Sequence, residues 1–157
     1  MRAVTVHEGV LEVADLPVPE PGPGQVRLRV TRAGICGSDL HARHHADAAA
    51  DIAAEVGYPD FMRRGQAVVL GHEFTGTVDA YGPGCRRRWE VGQALVALPL
   101  LKHGERVQMT GLSAQAPGAY AEYLVADERL LWPLDDLAEA LGSAERALEW
   151  GSMVEPI

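Results

Sequence analysis

Residues 71–85 read GHEFTGTVDAYGPGC, and a second glycine-flanked stretch, CGSDLH, occupies residues 36–41. The two stretches supply a thiol from Cys36, an imidazole from His72 and a carboxylate from the adjacent Glu73. A catalytic zinc site takes three protein ligands of these kinds and keeps a fourth position open. The two stretches together therefore predict an open zinc site.

Both stretches resemble the zinc-dependent alcohol and polyol dehydrogenases of the medium-chain dehydrogenase/reductase superfamily. The glycines of residues 71–85 match the family's signature spacing, and residues 118–123, GAYAEY, resemble one of its strands. The resemblance implies a GroES-like catalytic domain over residues 1–157. It also implies oxidation of a secondary alcohol, polyol or sugar, with zinc polarising the alcohol and hydride passing to NAD or NADP.

The same resemblance implies the metal ligands. Cys36 and His72 are the first two ligands. Glu73 either coordinates the metal itself or orients His72 without binding the metal. Glu155 matches the position of a glutamate ligand in polyol and sugar dehydrogenases; the alternative is an exposed glutamate at a helix end. Ala144, Leu148 and Gly151 are expected on one apolar face of the last helix, with Glu155 on the same side, although Pro156 disfavours helical geometry at Glu155. An isolated Cys36 would ordinarily be interpreted as a small buried apolar residue.

A proton relay is also implied by the resemblance. In the family, a hydroxyl two residues after the cysteine ligand binds the substrate alcohol, and a histidine five residues after it passes the proton to solvent. Ser38 and His41 stand at those spacings, and Asp39 is expected to orient the site. Ser38 is also predicted to be a helix N-cap. His44 and His45 are interpreted as surface residues.

Several features of the family are missing from these 157 residues. No G-x-G-x-x-G motif occurs, so the Rossmann cofactor domain is absent from this chain, and the isolated chain is predicted to be inactive. Residues 98–117 contain no cysteine, so we expect one catalytic zinc and no structural zinc. Cys85 is interpreted as a packing residue. Residues 46–64 lengthen the chain between the two signature stretches, and we predict that they lie at the mouth of the substrate cleft.

Composition excludes several classes of partner. Asp and Glu number 22 against 14 Lys and Arg, which gives a net charge of −8. This acidic balance disfavours nucleic-acid binding, although three consecutive arginines occupy residues 86–88. No apolar run is long enough for a membrane helix, and the N-terminus does not resemble a signal peptide. With two cysteines only, a cytoplasmic location is the simplest prediction. A homo-oligomer is expected for a full-length enzyme.

Hydrophobic periodicity predicts a β-rich chain. Strands are predicted at residues 2–6, 10–13, 25–32, 68–70, 74–81, 94–98, 119–126 and 129–132. Helices are predicted over residues 36–56 and 143–154, the second with Ser143 as N-cap. The proline-rich residues 16–24 can be neither helix nor central strand. The fold class is therefore mainly β with peripheral helices, and the resemblance specifies a GroES-like, partly open β-barrel.

Two other interpretations stay open at this point. The chain could be a stand-alone GroES-like binding or scaffold module without redox activity, since it lacks the nucleotide motif. It could also be a zinc-free reductase of the same superfamily, an interpretation that the set of Cys36, His72 and Glu73 argues against.

Overall fold

The computed structural model describes residues 1–153, in which antiparallel strands predominate and three helices lie at the periphery. The strands are β1 (Arg2–His7), β2 (Val10–Asp15), β3 (Gln25–Ala33), β4 (Val68–Val69), β5 (Phe74–Tyr81), β6 (Ala94–Ala97), β7 (Leu100–His103), β8 (Arg106–Met109), β9 (Tyr123–Asp127) and β10 (Leu131–Pro133). The helices are α1 (Gly37–Glu55), α2 (Asp135–Leu141) and α3 (Ala144–Gly151), and a 3₁₀ turn covers Glu128–Leu130.

The centre of the fold is a five-stranded antiparallel sheet in the order β10-β6-β5-β3-β9. Side chains alternate across β3, so Val26 and Leu28 share one face, where both are fully buried. On the other face, Arg27 donates to Asp79 of β5 at 2.6 Å. The strand predicted at residues 25–32 is confirmed. The main core is built from ten buried residues: Val26, Leu28, Phe74, Val78, Leu95, Ala97, Ala119, Leu124, Ala126 and Leu131.

A smaller sheet, in the order β2-β1-β4, closes the structure on one side. The turn between β1 and β2 places Glu8 and Gly9 at positive φ angles of 51° and 77°. Such a turn matches the twist of an antiparallel hairpin, and it joins the strands predicted at residues 2–6 and 10–13. The Val4 amide donates to the carbonyl oxygen of Tyr120 at 2.7 Å and joins this sheet to the chain that leads into β9. The result is the predicted partly open barrel.

A close backbone crossing fixes the chain just before His72. The Gly118 amide donates to the carbonyl oxygen of Val69 at 2.8 Å. A Cβ atom at Gly118 would overlap the carbonyl oxygens of Leu70 and Gly71, so only glycine permits this approach.

Helix α1 begins at Gly37 and has Cys36, not Ser38, as its N-cap, so the N-cap predicted at Ser38 is wrong. The backbone of Cys36 is extended (φ −86°, ψ 152°), and its amide donates to Oδ2 of Asp39 at 3.1 Å. A carboxylate at the third helical position satisfies an otherwise unpaired amide and suits the positive end of the helix dipole. Ser38 consequently lies inside the first turn.

The rest of α1 confirms the predicted helix. Ala42, Ala46 and Ala50 recur every four residues and are buried on one side. The helix bends at His45, whose φ of −130° is not helical. Gly57, at a φ of 93°, then reverses the chain.

Residues 58–62, which follow α1, are hydrogen-bonded to the last residue of β8 and to the loop after it. The Tyr58 hydroxyl accepts from the Met109 amide at 2.7 Å and lies 2.5 Å from the Ser113 hydroxyl. The Met62 amide donates to the carbonyl oxygen of Leu112 at 2.8 Å. The two segments therefore face each other at fixed separation.

The structure also differs from the sequence predictions in several elements. The hairpin of β7 and β8 and the short helix α2 were not predicted, and β9 begins later than the strand expected at 119–126. Ser143 is the N-cap of α3, as predicted, and its Oγ accepts from the Arg146 amide at 3.3 Å. Ala144 was expected on the inward face of this helix, but Ala147 and Gly151 are the buried residues and Ala144 is exposed.

Candidate metal centre

Three potential metal ligands converge at the N-terminus of α1. The Sγ of Cys36, a ring nitrogen of His72 and a carboxylate oxygen of Glu73 all lie within 4.8 Å of one another. The N-cap position holds Cys36 there, while the loop between β4 and β5 carries the other two. His72 is only 6% exposed, and Cys36 and Glu73 are half-buried. Thiolate, imidazole and carboxylate are the donors that zinc takes in proteins, so this set fits a zinc ion.

Asp39 and Ser38 lie on opposite sides of the His72 ring. Nδ1 is 3.2 Å from Oδ1 of Asp39, although its N–H is poorly aligned for a hydrogen bond. Nε2 is 3.1 Å from Oγ of Ser38. A metal-bound imidazole usually turns its other nitrogen toward a carboxylate. Nε2 is therefore the nitrogen suited to a metal. Asp39 faces the other ring nitrogen, and its orienting role stays a prediction.

The electrostatics of this pair favour a cation at the imidazole. The contact with Asp39 raises the pKa of His72 to about 9, against the opposing effect of burial. Burial raises the pKa of Asp39, but its contacts with His72 and Tyr120 outweigh that effect and hold this pKa below its usual value. A buried carboxylate that stays ionised stabilises positive charge beside it, whether a proton or a metal ion supplies that charge.

Three groups besides His72 hold the carboxylate of Asp39. The Tyr120 hydroxyl lies 2.7 Å from Oδ2, the Cys36 amide donates to the same oxygen, and the Gly71 amide donates to Oδ1 at 3.3 Å. Burial, followed by the nearby carboxylate of Asp39, raises the pKa of Tyr120, so the phenol stays protonated and can donate. Asp39 itself is 2% exposed. Several neighbouring groups thus fix the orientation of the Asp39 carboxylate.

Gly34 leaves the space that the Glu73 carboxylate occupies. A Cβ atom at Gly34 would lie 2.7 Å from Oε2 of Glu73 and 2.7 Å from the carbonyl oxygen of Ser152. The Gly34 amide also donates to the carbonyl oxygen of Glu73 at 2.8 Å. Glycine is needed here because the chain before α1 packs directly on a potential ligand.

A cavity of about 320 Å³ opens beside the potential ligands, and Ser38, His41 and His72 line it together. His41 is exposed, so a proton on its ring can exchange with solvent. His44 and His45 are exposed, as predicted, and the ring centroids of His41 and His45 lie 5.0 Å apart.

Another residue of the sequence analysis, Cys85, lies away from this group. Cys85 packs against the main core, and its Sγ donates to the carbonyl oxygen of Gln25 at 3.2 Å, which fits a packing role. Glu155 lies outside the described residues. A larger cavity, of about 1080 Å³, lies between the proline-rich stretch and the β7–β8 hairpin, and none of the potential ligands lines it.

Sequence reasoning missed the part that Tyr120 plays. The residue belongs to the recognised GAYAEY stretch, but it is 81 positions from Asp39, and no spacing rule connects the two. Met109 and Leu112, which line the cavity, were missed for the same reason, and Phe61 was not singled out within residues 46–64.

The alcohol dehydrogenase GroES-like domain family matches residues 22–136. The chain belongs to this family. The predicted family and the predicted GroES-like fold are thus confirmed. Among residues 1–153, no helix of this GroES-like domain combines the length and the apolar character needed to span a membrane.

Relatives of this GroES-like domain include two dehydrogenases and a reductase. The chain is 32% identical to (R,R)-butanediol dehydrogenase of Bacillus subtilis, over 99% of the chain and 44% of the relative. It is 32% identical to scyllo-inosose 3-dehydrogenase of Thermotoga maritima, over 88% of the chain and 38% of the relative. The structure of acetophenone reductase from Geotrichum candidum, in complex with NAD, superposes with a TM-score of 0.67 at 28% identity, covering 86% of this chain and 40% of that one. The chain thus spans less than half the length of each.

Proposed function

We propose that this chain is the zinc-binding catalytic domain of an NAD(P)-dependent alcohol or polyol dehydrogenase. The observation that carries the proposal is the convergence of Cys36, His72 and Glu73 beside a cavity that also contains Ser38 and His41. Membership of the alcohol dehydrogenase GroES-like family supports it. NAD or NADP is the proposed hydride acceptor, because a structural relative is complexed with NAD.

The donor set indicates how a single zinc ion would be held. Cys36, through its thiolate, and His72, through Nε2, would be two of the ligands. Glu73 would be a third, and Glu155 remains a proposed ligand from the sequence. Bound zinc supplies Lewis-acid polarisation of an alcohol and lowers the pKa of its hydroxyl. Asp39 orients His72 and neutralises part of the positive charge of the site.

The chain's own residues provide a route for the alcohol proton. The Ser38 hydroxyl lies at the cavity, 3.1 Å from Nε2 of His72, and can accept one proton while donating its own. His41 lines the same cavity and is exposed, so it can pass that proton to solvent. Ser38 thus binds the reacting hydroxyl and His41 exports its proton. A cytoplasmic location and a homo-oligomeric full-length enzyme complete the proposal.

Metal analysis of the purified chain tests this function. One zinc per chain is expected after dialysis, and cobalt substitution should give a thiolate-to-metal charge-transfer band. Cys36→Ser should abolish that band, whereas Cys85→Ser, the matched control on the chain's other cysteine, should leave it unchanged. A dialysed chain without stoichiometric metal, or a band that survives Cys36→Ser, would contradict the proposed zinc site.

A further inference from the structure

The walls of the cavity beside Ser38 are apolar. Apart from Ser38, His41 and His72, the cavity is lined by five apolar residues and one hydroxyl residue: Ala49, Phe61, Pro99, Met109, Leu112 and Thr110. The volume of about 320 Å³ lies at the lower end of the range for small-molecule pockets. The cavity therefore suits a compact ligand.

The apolar walls come from two segments fixed to each other. Ala49 and Phe61 belong to residues 46–64, the segment predicted to lie at the mouth of the cleft, while Met109 and Leu112 lie on the opposite side. Hydrogen bonds from the Met109 amide to Tyr58 and from the Met62 amide to Leu112 connect the two sides. Phe61, next to Met62, is thereby held at the cavity.

Most polar side chains of the cavity lie near the potential ligands: Oγ of Ser38 is 3.1 Å from Nε2 of His72, and His41 follows Ser38 by one turn of α1. In the proposed function, Ser38, His41 and His72 serve the reacting hydroxyl. Among the other described residues that line the cavity, Thr110 alone offers a hydroxyl or amide side chain, and it is 2% exposed. A polyol would bury several further hydroxyls against apolar walls, and an unpaired buried hydroxyl weakens binding.

We infer that this site takes compact apolar secondary alcohols and the corresponding ketones, with an alkyl or aryl substituent against Phe61, and that it discriminates against polyols. This inference deepens the proposed function and rests on it for the position of the reacting hydroxyl. The wall that distinguishes apolar alcohols from polyols includes Ala49 and Phe61, which belong to residues 46–64.

Cyclohexanol and myo-inositol provide a matched pair of probes, because both are six-carbon rings and they carry one and six hydroxyls. Ligand-observed saturation-transfer NMR on the zinc-loaded chain measures direct binding and needs neither cofactor nor turnover. We expect cyclohexanol to bind at least roughly ten-fold more tightly than myo-inositol. Phe61→Asn should lower the affinity for cyclohexanol several-fold, whereas Phe61→Leu, which keeps the apolar wall, should retain the preference.

The outcomes separate this inference from the proposed function. Equal or tighter binding of myo-inositol, or a preference unaffected by Phe61→Asn in a folded chain, would overturn the apolar-substrate assignment even where zinc is bound. A Phe61-dependent preference for cyclohexanol in a chain that holds no stoichiometric zinc would support the apolar pocket and overturn the zinc-based function. Zinc content is therefore measured on each NMR sample. Circular dichroism confirms that each variant is folded.

Discussion

The hydroxyl of Tyr120 lies 2.7 Å from Oδ2 of Asp39, so a residue in the chain that leads into β9 supports the carboxylate that faces His72. The chain from Tyr120 through Asp39 to His72 links the barrel to the candidate metal centre. Tyr120 and Asp39 can each be altered without removing a potential ligand.

Tyr120→Phe removes the hydroxyl and keeps the ring. We expect zinc affinity to decrease by up to about ten-fold, because Asp39 loses one of the groups that orient it. Competition with a chromophoric zinc chelator measures the affinity. The matched control is Tyr81→Phe, which removes a hydroxyl that donates to the carbonyl oxygen of Trp89 at 2.6 Å in another part of the fold. Equal zinc affinities for the two variants would contradict a positioning role for Tyr120.

Asp39→Asn should have a larger effect than Tyr120→Phe, because it removes the negative charge facing Nδ1 of His72. Loss of such a carboxylate typically lowers metal affinity about 10–100-fold. The same chelator competition measures the change. Asp79→Asn, which disrupts the ion pair with Arg27 on β3, serves as the control and should leave zinc affinity unchanged.

Gly34→Ala should weaken zinc binding by displacing Glu73, since the added Cβ would lie 2.7 Å from Oε2. Gly37→Ala is the matched control, because a Cβ at Gly37 meets nothing within 4 Å. Isothermal titration with zinc compares the two variants. If Gly34→Ala bound zinc as tightly as Gly37→Ala, Glu73 would not be a ligand held by this packing.

Asp127→Asn should change the pH dependence of stability. The hydrogen bonds from Arg129 lower the pKa of Asp127, against the effect of burial. A lowered folded-state pKa adds stability at pH values above the unfolded pKa of about 3.9, and this is lost as pH falls through the folded-state pKa. Wild type should therefore be slightly more stable than the variant at pH 7, and the difference should decrease as the pH falls below the unfolded pKa. Arg129 is largely exposed, so added salt should reduce the difference.

That difference is measured by urea denaturation at several pH values. Asp136→Asn, at an exposed position in α2, is the control and should show no comparable pH dependence. A wild-type advantage that persisted unchanged at pH 2 would contradict the assignment to Asp127.

The strands and α1 could be predicted because their patterns are local. Val26 and Leu28 alternate with polar residues, and the alanines of α1 recur every four residues. The β7–β8 hairpin carries no comparable pattern: Gln108 is buried while Val107, its neighbour, is 52% exposed. The prediction of Ser38 as the N-cap of α1 was wrong because cysteine is an uncommon N-cap. The capping role of Cys36 depends on the carboxylate of Asp39, which accepts from the Cys36 amide.

The potential ligands Cys36, His72 and Glu73 could be proposed from the sequence because glycines and neighbouring residues mark them. Tyr120 and Phe61 could not, because each acts through contacts between segments far apart in the chain. Ordinary aromatic residues become part of a site only when the fold brings them to it.

The two sides of the cavity differ in how freely they can change. The loop after β8 rests on the metal-bearing segment, since Gly111, at a φ of 76°, packs directly against the backbone of Gly71. A mutation that shifts this loop would disturb the approach to His72. Phe61 belongs to the segment after α1, which contributes no potential ligand. Under the proposed function, the substrate range can therefore change at Phe61 while the potential ligands are conserved.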